Sequence, residues 1–282
     1  MPKSPPKPLY GGMAVMEGVM FKGPHKASVA VRAPDGHIEV QPLSPTGASR
    51  FEWMRKVPFV RGVWALWELM SLGLKAMRVS AKISLGEEES DLAFNLGTAF
   101  AFMVAILLFM LTPTVIAGWL FTPLKDTNPI LLHFIEGLFR ILIFVAYVYA
   151  VSFMSDVKRV FRYHGAEHMV VHAFEHDAPL VPAEVSKFST VHPRCGTTFL
   201  FTFLIIAVII HSFTGWPNPW LRLLWRVALI LPIAMVSYEV FRLGRYFTPL
   251  IIPGLMLQKV TTAKPDGSMI EVAIKAFEAV RE

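Results

Sequence analysis

Four long apolar stretches dominate this sequence and restrict the folds open to it. They cover residues 96–121, 130–153, 198–216 and 220–241. Each is long enough to cross about 30 Å of hydrocarbon as an α-helix. Hydrophobic residues make up 54% of the 282, only 17% are charged, and the apolar ones are concentrated in these runs. We therefore expect a mainly α-helical, polytopic membrane protein with four transmembrane helices.

The order of the apolar stretches predicts two helical hairpins. The connections within the pairs, residues 122–129 and 215–220, are rich in proline and flanked by aromatic residues that favour the membrane interface. Lysine and arginine are concentrated before residue 90, in the loop 154–197 and after residue 241. The positive-inside rule therefore places both termini and this loop in the cytosol.

The segments outside the spans are expected to lie at the cytosolic surface. Residues 54–83 have the pattern of an amphipathic helix in the membrane interface, with a re-entrant or fifth apolar segment as the alternative. Residues 28–41 alternate in polarity around Pro34-Asp35-Gly36, which predicts a small N-terminal β-hairpin. The apolar run 249–257 is too short to span and is expected partly buried at the interface, before a helix near 270–280.

These predictions divide the chain into six segments: a Gly-rich arm with the β-hairpin (1–52), the amphipathic helix (53–90), the first transmembrane hairpin (91–153), a cytosolic loop and helix (154–197), the second transmembrane hairpin (198–241) and a cytosolic C-terminal segment (242–282). The start, residues 1–8, carries charge and proline without an apolar core, so no signal peptide is expected. The net charge of +6 lies mostly beside the membrane. Anionic lipid headgroups explain that charge, and nucleic acid is not an expected partner.

One helical turn after the second span combines two imidazoles with a carboxylate. His164, Glu167 and His168 form the pattern H-x-x-E-H. In inverzincins, the two histidines of this pattern bind zinc, the glutamate activates water, and a distant glutamate completes the site. The pattern predicts a divalent metal site, with zinc as the first candidate and Glu167 as the catalytic base. The simpler interpretation is a juxtamembrane helix whose polar side chains face water.

Two distant parts of the sequence are expected at the same cytosolic boundary. His192 and Cys195 come immediately before the third span, and Glu239 lies at the end of the fourth. A carboxylate at the end of an apolar helix is costly unless it is paired or metal-bound. We therefore expect Glu239 or His192 as the third metal ligand, with an ion pair between Glu239 and Arg242 as the simpler alternative.

Further residues are candidates for supporting the site or replacing a ligand. They are Cys195, Asp156, Arg194, Tyr238, Arg242 and Glu17. Cys195 is the only cysteine, so it cannot form an internal disulfide, and a thiolate beside Arg194 would suit zinc. Arg61 is expected to orient a carboxylate or phosphate, or to bind lipid headgroups.

Several motifs taken together resemble one bacterial membrane family. They are Gly11 to Met20, Pro58-x-x-Arg61-Gly62-Val63, Tyr163 to His168, His192 to Thr197, Ser237-Tyr238-Glu239 and Pro253-Gly254-Leu255. Over nearly its whole length the chain is similar to the YqhQ-like proteins, domain-of-unknown-function family 1385. That resemblance implies a metal-dependent enzyme of the bacterial cytoplasmic membrane. It also draws attention to Glu17, whose glycine-flanked arm is expected either to fold over the site or to pack as a salt-bridged plug.

The residues favour one function over two alternatives. The first hypothesis is a zinc-dependent hydrolase of peptide or amide bonds that faces the cytosol and acts on an unidentified protein or peptide, with membrane lipids around it. The second is a non-catalytic scaffold or assembly factor whose metal holds cytosolic loops onto the helices. A small transporter ranks third, because the histidines and acids cluster at one interface instead of the membrane midplane.

Overall fold

The computed structural model describes residues 8–44, 52–85, 91–244 and 246–281. The predicted cytosolic start at residues 1–7 and the predicted boundary at residue 90 lie outside these residues. The described part is mainly α-helical, as expected, and it contains one four-stranded antiparallel sheet.

The sheet is an N-terminal meander in the order β1-β2-β3-β4. Its strands are β1 (Gly11–Val15), β2 (Gly18–Lys22), β3 (Ala27–Arg32) and β4 (Ile38–Leu43). The predicted hairpin is confirmed as β3 and β4, which pair from Arg32 opposite Ile38 to Ala27 opposite Leu43. Strands β1 and β2 are additional to the prediction. Their turn holds Glu17 at a positive φ of 53°, and a Cβ at Gly18 would lie 2.2 Å from the Ala30 carbonyl oxygen.

Helices cover both faces of this sheet. On one face, Val19, Phe21 and Ala30 pack in a core with α6 (Ser155–Glu175) and α12 (Gly267–Glu278). On the other face, Met20, Val29 and Val31 pack against Leu72 and Ala76 of α1 (Val60–Leu85). Successive strand residues point to opposite faces, so a five- or six-residue strand contributes to both cores. The sheet therefore joins α1 to the helix that carries the histidine motif.

The amphipathic segment predicted over 54–83 forms a short 3₁₀ helix (Glu52–Arg55) and then α1. One stripe of α1 packs on the sheet, whereas Trp67, Met70 and Met77 are exposed. Exposed apolar side chains on a helix that also contacts a folded domain are compatible with the predicted interfacial position.

The apolar stretches form helices of unequal length. The first combines α2 (Asp91–Ile106), a π-helical turn (Leu107–Leu111) and α3 (Thr112–Leu120) into one apolar helix of 29 residues from Leu92 to Leu120. The second is α5 (Pro129–Val151), of 23 residues, reached through the short α4 (Leu124–Thr127). Both are long and apolar enough to cross a membrane.

The second predicted hairpin departs from regular spans. Its first helix, α8 (Gly196–Ser212), has only 17 residues, and its second is broken into α9 (Pro219–Ala228) and α10 (Ile230–Leu243), bent by 43°. Pro232 explains the break, because it has no N–H to donate to the carbonyl of Ala228. The described residues therefore contain two candidate membrane spans, or three if the bent pair crosses as one.

A buried carboxylate connects the apolar helices. Glu136 of α5 accepts hydrogen bonds from Thr114 at 2.8 Å and Arg140 at 2.7 Å, and from Arg226 of α9. His133 lies against its other oxygen at 3.2 Å. Because breaking a buried ion pair leaves an uncompensated charge, the cluster stabilises the packing of α3, α5 and α9.

The C-terminal segment returns to the histidine helix. The apolar run near residue 250 forms a 3₁₀ turn (Thr248–Ile251) and α11 (Ile252–Thr261), and α11 packs against α8, where Gly254 faces Thr198. The predicted C-terminal helix is confirmed as α12, capped by Asp266, whose side chain accepts from the Met269 N–H. A last short helix, α7 (Pro182–Val185), lies between α6 and α8.

Replacing Gly165 of α6 with alanine should lower the free energy of unfolding by about 1–3 kcal/mol. A Cβ there would lie 2.2 Å from the Ala263 carbonyl oxygen. Gly267→Ala is the matched control, because a Cβ at that helical position meets nothing within 4 Å. Denaturant titration of the detergent-purified variants, followed by circular dichroism, measures the difference. Equal stability of the two variants would contradict the close contact at Gly165.

Candidate metal centre

The middle of α6 carries the site. His164 is half-buried, whereas Glu167 and His168 are only 6% and 2% exposed. Between them, Gly165 lets the chain after α11 approach closely, and the Ala263 N–H donates to the Phe161 carbonyl at 2.9 Å. The predicted motif is therefore inside the protein, and the alternative of histidines facing water is wrong for His168.

Three donors from two parts of the chain converge here. The ligand atoms of His164, His168 and Cys195 all lie within 4.8 Å of one another. His164 Nε2 is 3.1 Å from Cys195 Sγ, and the two imidazole centroids are 4.4 Å apart. Cys195 is the N-cap of α8, where its sulfur accepts from the Thr197 N–H. Sequence analysis proposed Cys195 only as an alternative ligand, and the structure places it beside both histidines.

Backbone carbonyls orient the two imidazoles. His164 Nδ1 lies 2.8 Å from the Thr261 carbonyl oxygen, and His168 Nδ1 lies 2.5 Å from that of Thr190. A carbonyl can only accept, so each Nδ1 carries the proton and each Nε2 presents a lone pair. Metal-bound histidines are usually held in this way. His168 Nε2 is buried and has no hydrogen-bond partner among the described residues, which is costly unless another group engages it.

Glu167 is the second group with an unsatisfied buried atom. Its Oε2 has no hydrogen-bond partner in the described part of the chain, and the backbone of Gly12 in β1 lies so close that a Cβ there would be 2.9 Å from the Glu167 carboxyl carbon. Burial raises the pKa of Glu167 to about 8, with nearby His164 and the Gly12 backbone opposing the rise. The carboxyl is therefore easily protonated near neutral pH, as a group that both accepts and returns a proton must be.

The donor set fits a zinc ion. Zinc accepts imidazole and thiolate, and three protein ligands leave one tetrahedral position open. Burial opposes ionisation of the Cys195 thiol, but the neighbouring His168 imidazole and Thr197 outweigh it and lower its pKa. Burial also lowers the pKa of His168, so its imidazole stays neutral. Neutral imidazole and an easily ionised thiol are the forms that bind a metal.

His192 lies in an adjacent group that is organised differently. Together with His172 and Glu175 it could supply three ligand atoms within 4.8 Å of one another. However, His192 Nδ1 accepts from the Arg194 N–H at 3.2 Å, and its Nε2 faces Glu175 Oε2 at 3.3 Å. With Nδ1 accepting, Nε2 carries the proton and donates to Glu175, which also pairs with the Arg194 guanidinium.

The prediction that His192 is the third ligand therefore has no support in its hydrogen bonding, although its ring is 5.7 Å from that of His168. Burial lowers the pKa of His192 to about 4, which keeps the ring neutral. Its backbone is held by Gln258, whose amide accepts from the His192 N–H and donates to the His192 carbonyl, both at 2.9 Å. His192 thus anchors the chain next to Cys195.

Glu239 is not among the three converging donors and is bonded to residues at the start of α1. Its Oε1 accepts from Arg61 Nε at 2.7 Å and from the Phe59 N–H at 3.0 Å, and its Oε2 accepts from Arg61 Nη2. Its role as third ligand stays a prediction, with both carboxylate oxygens bonded at the start of α1. Its chief partner is Arg61 and not the expected Arg242, so the ion pair ties α10 to α1.

The remaining predicted residues surround the site without entering it. Asp156 is exposed and lies two helical turns before His164, about 12 Å along the axis. Glu17 pairs with Arg159, and its Oε2 accepts from the Tyr163 hydroxyl at 3.2 Å. The salt-bridged plug is thus the arrangement found for Glu17. The role of the Thr190 and Thr261 carbonyls in orienting the imidazoles was not predicted, because a backbone acceptor has no signature in the sequence.

Two adjacent cavities lie near the site. The inner cavity, about 280 Å³, is lined by β1, β2, α1 and α8 and reaches Glu167. The outer cavity, about 650 Å³, lies at the ends of α6 and α10 and includes three arginines, Arg61, Arg194 and Arg242. Leu9, Arg194, Tyr238 and Phe241 line both, so the two cavities are adjacent. Tyr238 and Arg242, predicted as supporting residues, are cavity walls.

Comparison with known proteins gives a family but no described activity. The uncharacterized protein YqhQ of Bacillus subtilis (strain 168) is 33% identical over 299 aligned residues, which cover 98% of this chain and 93% of that protein. No solved structure matches the chain significantly. A family model described as a protein of unknown function (DUF1385) matches residues 57–282, from the start of α1 to the C-terminus. This chain belongs to the DUF1385 family.

Proposed function

We propose that this protein is a metal-dependent hydrolase of amide or peptide bonds. In this proposal His164, His168 and Cys195 bind the ion, zinc being the first candidate, and Glu167 is the catalytic base. The observation that carries it is the pair of buried, unpartnered atoms, His168 Nε2 and Glu167 Oε2, one helical position apart. Buried polar atoms without partners are rare, and sites that bind an ion or do chemistry are a common reason for them.

The number and type of donors favour catalysis. Structural zinc sites close with four protein ligands, whereas catalytic sites have three and keep one position open. When bound, zinc would polarise a carbonyl and make water a nucleophile near neutral pH. Glu167 would accept the proton of the attacking water and return it to the departing amine. Burial raises the pKa of Glu167 to about 8 in the metal-free site, and the charge of a bound cation would lower it, which favours the ionised form that accepts a proton at pH 7.

We further propose that the protein lies in the bacterial cytoplasmic membrane with both termini and the metal centre on the cytosolic side. Four apolar segments would enter the bilayer: α2 with α3, α5, α8, and α9 with α10. Lysine and arginine lie mainly outside them, as the positive-inside rule requires. Membrane lipids are the expected neighbours and nucleic acid is not an expected partner.

A metal-stabilised scaffold is the second candidate, and one observation favours it. The three donors connect α6 with the N-cap of α8, and the His164 and His168 imidazoles are also bonded to Thr261 at the end of α11 and to Thr190. An ion there would hold three segments together without catalysis. A transporter is less favoured, because Glu136, the carboxylate between the apolar helices, is already bonded to two arginines.

Metal analysis of the detergent-purified protein tests the ligand set. We expect about one zinc per chain in the wild type, and loss of most of it in His164→Ala and Cys195→Ala, since each removes one of three donors. X-ray absorption should show one sulfur at about 2.3 Å from the metal. His176→Ala is the matched control, because His176 is exposed at the end of the same helix.

Glu239→Gln and His192→Ala should keep the metal, because neither residue is among the three converging donors. Loss of zinc in Glu239→Gln with retention in Cys195→Ala would restore the ligand set expected from the sequence and contradict the one proposed here. A wild-type protein that contains no metal and loses nothing on chelation would end both the enzyme and the scaffold proposals.

Glu167→Gln separates an enzyme from a scaffold. The amide keeps the size of the side chain but cannot accept a proton, so we expect near-stoichiometric zinc with activity reduced by about 10²–10⁴-fold. Complementation of a deletion strain and release of amines from a peptide and acyl-amide library provide the readouts. Full complementation by Glu167→Gln, alongside failure of His164→Ala, would support the scaffold instead.

A further inference from the structure

The outer and inner cavities differ in the chemistry of the side chains that line them. The outer cavity is lined by Arg61, Arg194 and Arg242 together with Glu175. Toward Glu167, the inner cavity is walled mainly by apolar side chains, namely Leu66, Leu69, Met20, Phe199 and Phe241. A ligand that fills both must therefore be charged at one end and apolar at the other.

The charge of the outer cavity is positive. Arg61 is paired with Glu239, and Arg194 with Glu175, so both guanidinium groups are held in place by carboxylates. Arg242 is an exposed third arginine on the same wall. Three arginines against two glutamates leave one positive charge in excess. Guanidinium groups with fixed orientation bind planar or tetrahedral oxyanions such as carboxylate and phosphate.

The rim of the outer cavity is apolar. Thr248 and Ile251 line it, and the same turn exposes Phe247, Leu250 and Ile252, each more than a third exposed. Contiguous exposed apolar side chains are typical of surfaces that contact membrane or apolar ligands. The residues predicted to lie at the membrane interface therefore form one edge of the cavity, which would let a molecule enter sideways from the lipid.

We propose that the substrate is an anionic amphiphile, in which a phosphate or carboxylate head is bound by the arginines of the outer cavity and an acyl chain occupies the inner cavity beside Glu167. This inference rests on the proposed function only for the hydrolysis itself. Water adds to the acyl carbon, the carbon–nitrogen bond breaks, and the proton from water passes through Glu167 to the amine. The products are a fatty acid and a free amine that carries the anionic head.

Binding can be measured separately from hydrolysis. The full-length protein, in nanodiscs of phosphatidylcholine, is titrated with three probes: dodecanoyl lysophosphatidic acid, the choline ester of its phosphate with the same acyl chain, and inorganic phosphate. Empty nanodiscs are the control. We expect the anionic amphiphile to bind at least about tenfold more tightly than the choline ester. Inorganic phosphate should bind more weakly still, because it gains nothing from the inner cavity.

Three variants locate the site. Arg242→Gln should weaken binding of the anionic amphiphile about tenfold, whereas Lys158→Gln, which removes an exposed charge from the first turns of α6, should not. Gly11→Leu should weaken binding of the amphiphile without affecting binding of inorganic phosphate. Gly11 lines the inner cavity, and a Cβ there meets nothing within 4 Å. Circular dichroism and gel filtration check that each variant is folded.

The outcomes separate this inference from the proposed hydrolase. If the choline ester bound as tightly as the anionic amphiphile, or if Arg242→Gln left binding of the amphiphile unchanged, the proposal that the arginines recognise an anionic head would be overturned. Inorganic phosphate that binds as tightly as the amphiphile would identify a site for free phosphate and overturn the amphiphile. Tight, Arg242-dependent binding with no hydrolysis by the wild type would support the ligand class and count against the hydrolase. Hydrolysis of other amides without amphiphile binding would support the hydrolase and overturn the proposed ligand class.

Discussion

Two backbone carbonyls determine what the histidine motif can do. An imidazole whose protonated nitrogen is not fixed can turn either nitrogen toward its neighbours, so H-x-x-E-H on an exposed helix has no defined chemistry. Here the Thr261 and Thr190 carbonyls hold the Nδ1 atoms, and both Nε2 atoms are directed inward, one of them to 3.1 Å from Cys195 Sγ. This orientation depends on the packing of α11 and of the chain before α8 against α6.

That packing in turn depends on small residues. Gly165 lies where the Ala263 carbonyl touches α6, and Gly12 lies where β1 touches the Glu167 carboxyl group. A side chain at either position would push away a segment that buries the site. Burial is also what raises the pKa of Glu167 and lowers that of His168. The N-terminal sheet therefore affects the chemistry of α6, although neither β1 nor β2 contributes a donor to the three-atom group.

Sequence patterns predicted the helices and strands better than they predicted which distant side chains pair with each other. Long apolar runs and the spacing of His164, Glu167 and His168 are local properties, and the corresponding helices are found. The break between α9 and α10 could have been expected from Pro232. The pairing of Glu239 with Arg61 was not foreseen, because the two residues are 178 positions apart and no local pattern distinguishes a distant arginine from a metal. Strands β1 and β2, rich in glycine and methionine, lack the β-branched alternation that marks β3.

The pairing of the buried charges separates structural groups from candidates for catalysis. Glu136 is bonded to two arginines and Glu239 to Arg61, so each carboxylate is neutralised where it lies. Burying such a pair carries a desolvation penalty that its attraction offsets only in good geometry, and its effect is to fix which helices touch. Glu167 is only 6% exposed and Glu136 2%, but no arginine or lysine of the described residues is bonded to Glu167, and its Oε2 and His168 Nε2 are both unsatisfied. Other buried side-chain atoms of the described residues are also unsatisfied, but this turn places such atoms next to the Cys195 thiol, and a bound cation would engage the lone pair of His168 Nε2.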